Sequence, residues 1–159
     1  MGKVSAGLVM YRVRDGQMEV LLVHPGGPFW RKKDAGAWVI PKGEINPGED
    51  QLAAAKREFE EETGFKPEGN FLSLGSVKHK SGKTAVAWAF EGDCDAGAIK
   101  SNTFRLEWPP KSGNSREFPE VDRAAFFSVE QAREKILAAE FGLIQRLKEI
   151  LGTGAIPRL

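Results

Sequence analysis

The sequence predicts an α/β fold of the α+β kind, with a mixed central sheet and helices packed on its faces. Three observations lead there. Short apolar or alternating stretches recur through the first 91 residues and again at 121–128. Most are joined by tight-turn residues rather than by helices, which signals hairpins within a mixed sheet. Runs of helix formers at 51–62, 129–138 and 140–151 interrupt them.

The elements follow in order. Val4, Ala6, Leu8 and Met10 alternate along a first strand, Asp15-Gly16 supplies a turn, and Val20 to Val23 is a short apolar run on the returning strand. Residues 24–36 read as a loop rich in Pro, Gly and cations, with His24 as a surface or loop histidine. Ala37 to Ile40 reads as a strand stopped by Pro41. A Gly- and Pro-punctuated loop at 43–49 leads to Asp50, a natural N-cap, and Gly64 closes the helix that follows. Residues 71–79 and 84–91 read as strands around a Ser81-Gly82 turn. One strand is expected near 103–107, then a long loop to 119, and a last strand at 121–128. The final helix carries Phe141, Ile144, Leu147, Ile150 and Leu151 on one face. Residues 1–151 are expected to form one domain and 152–159 a short tail.

Composition narrows the function. Lys plus Arg is 23 and Asp plus Glu is 22, a net charge of +1. A general nucleic-acid binder needs clustered cations, so nucleic acid is not the expected partner. The single cysteine, Cys94, can form neither an internal disulfide nor a Cys-based zinc site. Met1 leads directly into the strand pattern, with no apolar leader run and no run of membrane-spanning length. A cytoplasmic protein without membrane contact is expected.

The informative segment is 43–65. On a helix, Glu58, Glu61 and Glu62 fall within an arc of about 100°. Like charges at that spacing repel and lower helix stability. A bound hard cation, Mg²⁺ or Mn²⁺, would offset the repulsion. Leu52, Ala55 and Phe59 occupy the neighbouring arc that docks on the sheet, and Arg57 is placed to orient one acid or to reach Glu49.

Gly43, Glu49, Arg57, Glu58, Phe59, Glu61, Glu62, Gly64 and Phe65 fill every constrained position of the Nudix signature. With average residue frequencies, such a match arises by chance on the order of once in 10⁷ chains of this size. On these residues the chain resembles the Nudix hydrolases. The resemblance implies an α/β/α sandwich and hydrolysis of a nucleoside diphosphate linked to another group. It implies Mg²⁺, with Mn²⁺ as the alternative cofactor, and water attacking phosphorus. Glu58, Glu61 and Glu62 then match the metal-binding carboxylates, and Glu58 also matches a general base in some members. The Lys42 carbonyl matches a further metal ligand. Arg57 and Glu49 match bracing positions, and Gly43 and Gly64 match backbone-shape positions. Glu120, with Glu117 second, is the candidate for the acid that the family often supplies from a later loop.

The expected partner is a small nucleotide substrate: a dinucleoside polyphosphate or a (deoxy)nucleoside triphosphate. The run Trp38 to Gly43 resembles the entry to the motif in dinucleoside-polyphosphate hydrolases, with the Lys42 ammonium beside the phosphates. The downstream tyrosine typical of that subgroup is missing, since Tyr11 is the sole tyrosine. Trp30, Arg31, Lys33 and Arg116 are the candidate substrate-binding residues, an aromatic for a base and cations for distal phosphates. Removal of pyrophosphate from RNA 5′ ends is the alternative activity, and a non-catalytic Nudix-fold ligand sensor is the alternative class.

Overall fold

The computed structural model describes residues 3–152. Of the tail expected at 152–159, Gly152 is the last residue of the final helix, and 153–159 lie outside the described residues. Eight strands and three helices follow one another: β1 (Val4–Arg14), β2 (Gln17–Pro25), β3 (Lys42–Glu44), α1 (Gln51–Thr63), β4 (Leu72–Lys78), β5 (Thr84–Glu91), β6 (Thr103–Glu107), β7 (Ser115–Pro119), β8 (Val121–Ser128), α2 (Val129–Lys135) and α3 (Phe141–Gly152).

The main sheet runs β4-β5-β1-β2-β8, with β3 paired to β1. It is mixed as expected. β1 and β5 are parallel, whereas β1–β2, β1–β3, β2–β8 and β4–β5 are antiparallel. The period-2 alternation of β1 and β2 delivers apolar side chains to both faces, so two cores form. One holds Ala6, Leu8, Met10, Leu21 and Phe90 against Ala54, Ala55 and Phe59 of α1. The other holds Val9, Tyr11, Val20, Leu22, Trp38 and Ile40 against Leu143, Ile144 and Leu147 of α3. Helix, sheet and helix thus form three layers.

Three local expectations differ from the structure. Residues 37–40 make only isolated bridges, Val39 with Val23 and Trp38 with Ile136. Pro41 removes a donor there, so the regular pairing with β1 begins at Lys42. The loop expected after β6 instead folds back as β7, forming a separate two-stranded sheet with β6. The largely exposed residues of β7 carry little apolar alternation, so its sequence pattern is weak. The helix expected over 129–138 ends at Lys135, and a 3₁₀ turn at Ala138–Glu140 precedes α3.

Candidate active site

Helix α1 carries most of the site. The Asp50 side chain caps it by accepting from the Ala53 amide at 3.1 Å. Gly64 ends it at φ 81°, a left-handed conformation that glycine adopts without strain. Ala54, Ala55 and Phe59 dock the helix on the sheet and carry Glu58 and Glu62 down with them, so both acids are buried. Glu61 remains half-exposed on the adjacent arc.

Two glycines let β3 lie flush against this helix and against β1. A Cβ on Gly43 would sit 2.1 Å from the Glu58 carboxylate. A Cβ on Gly7 would sit 2.5 Å from the Pro41 carbonyl oxygen and 2.6 Å from the Lys42 Cβ. Real Cβ atoms do not approach that closely, so both positions require glycine.

Arg57 ties the motif together. Its guanidinium donates to both oxygens of Glu49, at 2.8 and 3.0 Å. It also donates to Glu58 Oε2 at 3.2 Å, to Glu61 Oε2 at 3.0 Å and to the Glu44 carbonyl at 3.0 Å. Planar, forked geometry makes this reach feasible, and a lysine could not reproduce it. Hydrogen bonds from Arg57 and from the Asn46 amide hold the Glu49 carboxyl below the usual range.

Glu120 reaches the cluster through a chain of backbone bonds. Lys100 N donates to Thr63 O at 2.9 Å and Asn102 N donates to Glu61 O at 2.8 Å. Glu120 N then donates to Asn102 O, and Gly26 N to Glu120 O, each at 2.8 Å. The segment 100–102 thereby satisfies carbonyls at the end of α1 that the helix leaves unpaired. It also brings the loop acid beside the helix acids.

The electrostatics fit a cation site. Burial pushes the Glu58 carboxyl up, and the negative charge of Glu61 adds to it. Burial pushes Glu62 up to about 9, against the opposing pull of the Lys42 ammonium. Partial burial and the charge of Glu61 push Glu120 up as well. Glu58, Glu62 and Glu120 therefore lack enough positive charge around them, which is the condition a hard divalent cation relieves. The side chains are not gathered into a finished cage: among the described residues no three His, Cys, Asp or Glu groups are already arranged to hold a metal. Arg57 holds Glu58 and Glu61 in ion pairs. Oxygen donors in this number fit Mg²⁺ or Mn²⁺ in kind.

Lys42 is only 16% exposed, and its ammonium pairs with Glu140 at 2.7 Å. Its backbone amide donates to Glu62. Glu140, which sequence reasoning missed, is fully buried just before α3. His79 Nε2 lies 3.0 Å from the same carboxylate. Nothing local marks Glu140, because its partners come from residues 40, 42 and 79.

The other candidates are exposed side chains of the 26–33 loop and of β7. Trp30 is 38% exposed, with Lys33 Nζ 4.9 Å above its ring. Arg31, Arg116 and Glu117 are exposed, and Arg116 sits 5.9 Å from the Phe118 ring centroid. Phe29 meets Trp108 edge to face at 5.2 Å, joining the 26–33 loop to the hairpin.

His24 corrects the expectation of a surface histidine. It is fully buried, with Nδ1 2.8 Å from Asp122 Oδ1 and Nε2 2.6 Å from the Lys33 carbonyl. The period-2 pattern from Val20 and Leu22 places it on their face, a signal that extending the strand would have used. Cys94 is half-buried, and burial pushes its thiol up, away from reactivity.

Parts of this chain are similar to known proteins. Residues 41% identical over 64 positions occur in the asymmetrical bis(5′-nucleosyl)-tetraphosphatase of Caenorhabditis elegans. That match spans 40% of this chain and 42% of the relative, so it covers less than half of either protein. An RNA pyrophosphohydrolase of Erythrobacter litoralis is 62% identical over 32 residues, 20% of each chain. A crystal structure of a C. elegans Ap4A hydrolase binary complex superposes with a TM-score of 0.68 at 24% identity. It covers 94% of this chain and 98% of that one, which establishes a common fold. The NUDIX domain family model matches residues 2–147, taking in the braced helix, the sheet beneath it and the later loop acid. The chain therefore belongs to the NUDIX family.

Proposed function

We propose that this chain is a Mg²⁺-dependent pyrophosphohydrolase acting on a phosphoanhydride bond of nucleoside polyphosphates. Dinucleoside polyphosphates are the favoured substrates and (deoxy)nucleoside triphosphates the next. The observation that carries the reading is the gathering of Glu58, Glu61, Glu62 and Glu120 beside the Lys42-Gly43 strand, where burial and neighbouring carboxylates push Glu58, Glu62 and Glu120 up. The partial match to the C. elegans tetraphosphatase supports the substrate class.

Glu58, Glu61, Glu62, Glu120 and the Lys42 carbonyl would hold the cations. Bound there, divalent cations screen the phosphates and lower the pKa of a coordinated water. The chain's own groups do the remainder. Arg57 holds Glu58, Glu61 and Glu49 in register. Water adds to phosphorus and the bridging P–O bond breaks, leaving two phosphate products. The proton of the attacking water passes to a carboxylate oxygen of Glu58 or Glu120. Trp30 would stack on a base, while Arg31, Lys33 and Arg116 would meet distal phosphates.

The short match to an RNA pyrophosphohydrolase favours one second reading, release of pyrophosphate from triphosphorylated RNA 5′ ends. One panel separates the two: diadenosine polyphosphates, canonical and oxidised deoxynucleoside triphosphates, ADP-ribose, nucleotide sugars and 5′-triphosphate RNA, each with and without Mg²⁺. Mg²⁺-dependent turnover of diadenosine polyphosphates, abolished by Glu62→Gln, is the expected result. Turnover of RNA alone would replace the reading. Cation binding without turnover of any member would replace it with a ligand sensor.

A further inference from the structure

Glu140 lies outside the Nudix motif, on the 3₁₀ turn before α3. Its carboxylate has no exposed surface. Oε1 accepts from the Ile40 amide at 3.0 Å. Oε2 lies 2.7 Å from Lys42 Nζ and 3.0 Å from His79 Nε2. An apolar residue would fill this space without the desolvation cost of a buried charge. It could not hold an ammonium group or a backbone amide.

We propose that Glu140 is a positioning residue for the hydrolytic reaction: its buried carboxylate clamps the Lys42 ammonium and the Ile40 amide, and so fixes the 40–43 backbone against the α1 carboxylates. The inference rests on the hydrolase reading above.

The clamp acts at both ends of a three-residue span. Ile40 is held by its amide and Lys42 by its side chain. Between them, the Pro41 carbonyl accepts from Leu8 N at 3.1 Å, which ties the span to β1. Three site functions follow directly along the chain. The Lys42 amide donates to Glu62, and the Lys42 ammonium is the strongest cationic influence on that acid. The Leu8–Pro41 pair carries the ladder bond, so Lys42, opposite Gly7, turns its carbonyl away from β1. Gly43 has no room to shift toward Glu58, because the approach is already closed to a Cβ. A displacement of a few tenths of an ångström at Lys42 therefore reaches both buried acids. The α3 layer, through Glu140, holds in place a strand on which the α1 layer depends.

Glu140→Gln is the discriminating variant. It keeps the shape and an acceptor for the Ile40 amide, and loses the charge that holds Lys42. The first measurement needs no substrate. A lysine ammonium in a buried ion pair exchanges slowly enough with water to give an ¹⁵Nζ signal by NMR, and loss of the signal in Lys42→Met assigns it. The signal should be present in the wild type and absent in Glu140→Gln. Its persistence in Glu140→Gln overturns the clamp.

The second measurement is a kinetic cycle on the substrate found by the panel. Glu140→Gln should lower kcat about tenfold or more and leave KM within about twofold, the scale of an outer-shell effect. In a Lys42→Met background, Glu140→Gln should cost nothing further. An equal loss in both backgrounds, tracking a fall in melting temperature, assigns Glu140 a structural role only and overturns the proposal. An unchanged kcat does the same. A wild type inactive on the whole panel overturns the hydrolase reading, and the NMR measurement still decides whether Glu140 clamps Lys42.

Discussion

Glu62→Gln should stabilise the cation-free protein at alkaline pH, although it removes a central site residue. Burial raises the Glu62 carboxyl from an ordinary value of 4.5 to about 9. The native state therefore binds this proton more tightly than the unfolded chain does. Between those two values the unfolded chain holds fewer protons, so stability falls as pH rises. The slope is about 1.4 kcal/mol per pH unit for one group. From the unfolded value to pH 8 the cost reaches a ceiling of about 5 kcal/mol. Glutamine carries no proton to lose, and its amide oxygen still accepts from the Lys42 amide. Lys42 keeps its Glu140 partner, so no cation is stranded. Relaxation and water entry reduce the ceiling, and a gain of about 2 kcal/mol at pH 8 corresponds to roughly 4–8 °C in melting temperature. The assay is thermal unfolding in EDTA at pH 5 and pH 8, repeated with Mg²⁺. The variant should match the wild type near pH 5, exceed it at pH 8, and gain less from Mg²⁺ than the wild type does. A variant that melts at or below the wild type at pH 8 would refute the account of Glu62 as an under-neutralised buried acid.

Other perturbations test neighbouring parts. Gly43→Ala forces a Cβ into the space of the Glu58 carboxylate, so hydrolysis should fall at least about tenfold by steady-state kinetics. Arg57→Lys cannot span Glu49, Glu58 and Glu61 together. It should cost about 10–100-fold in activity and raise the midpoint of a Mg²⁺ titration of that activity. His24→Ala removes two buried hydrogen bonds and should lower stability by about 2–4 kcal/mol in urea unfolding. Trp30→Ala removes an exposed ring, and should raise KM about three- to tenfold with the melting temperature unchanged.

How much of this was legible follows from the range of each interaction. The main sheet and α1 are written in local period, turn residues and caps, and these agree with the structure from Val4 to Glu91 apart from the 37–40 bridges, the short strand β3 at the start of the expected 43–49 loop, and the extension of β2 through His24 to Pro25. The contact of Arg57 with Glu49 and the helix acids spans eight residues or fewer, so motif spacing discloses it. Glu140 meets Ile40 one hundred positions away, and no local pattern encodes that meeting. β7 escapes for a different reason. It pairs only with β6 and buries little, so no apolar alternation is required of it. His24 reads as a loop residue because the apolar run stops at Val23, one residue before the strand leaves the core.

The β6–β7 hairpin has a consequence for how such a protein can change. It pairs with itself and with no strand of the main sheet. Its base is closed by the Glu120 N to Asn102 O bond, and Asn102 is tied in turn to the carbonyl of Glu61. Residues 103–119 thus hang from a closed hinge like an exchangeable cassette. Lengthening, shortening or recolouring the cassette alters the exposed surface around Trp108 and Arg116 while Glu120 stays where it is. If the proposed role of Arg116 holds, new substrate preferences can accumulate there by insertion and drift, and the α1 carboxylates need not be rebuilt each time.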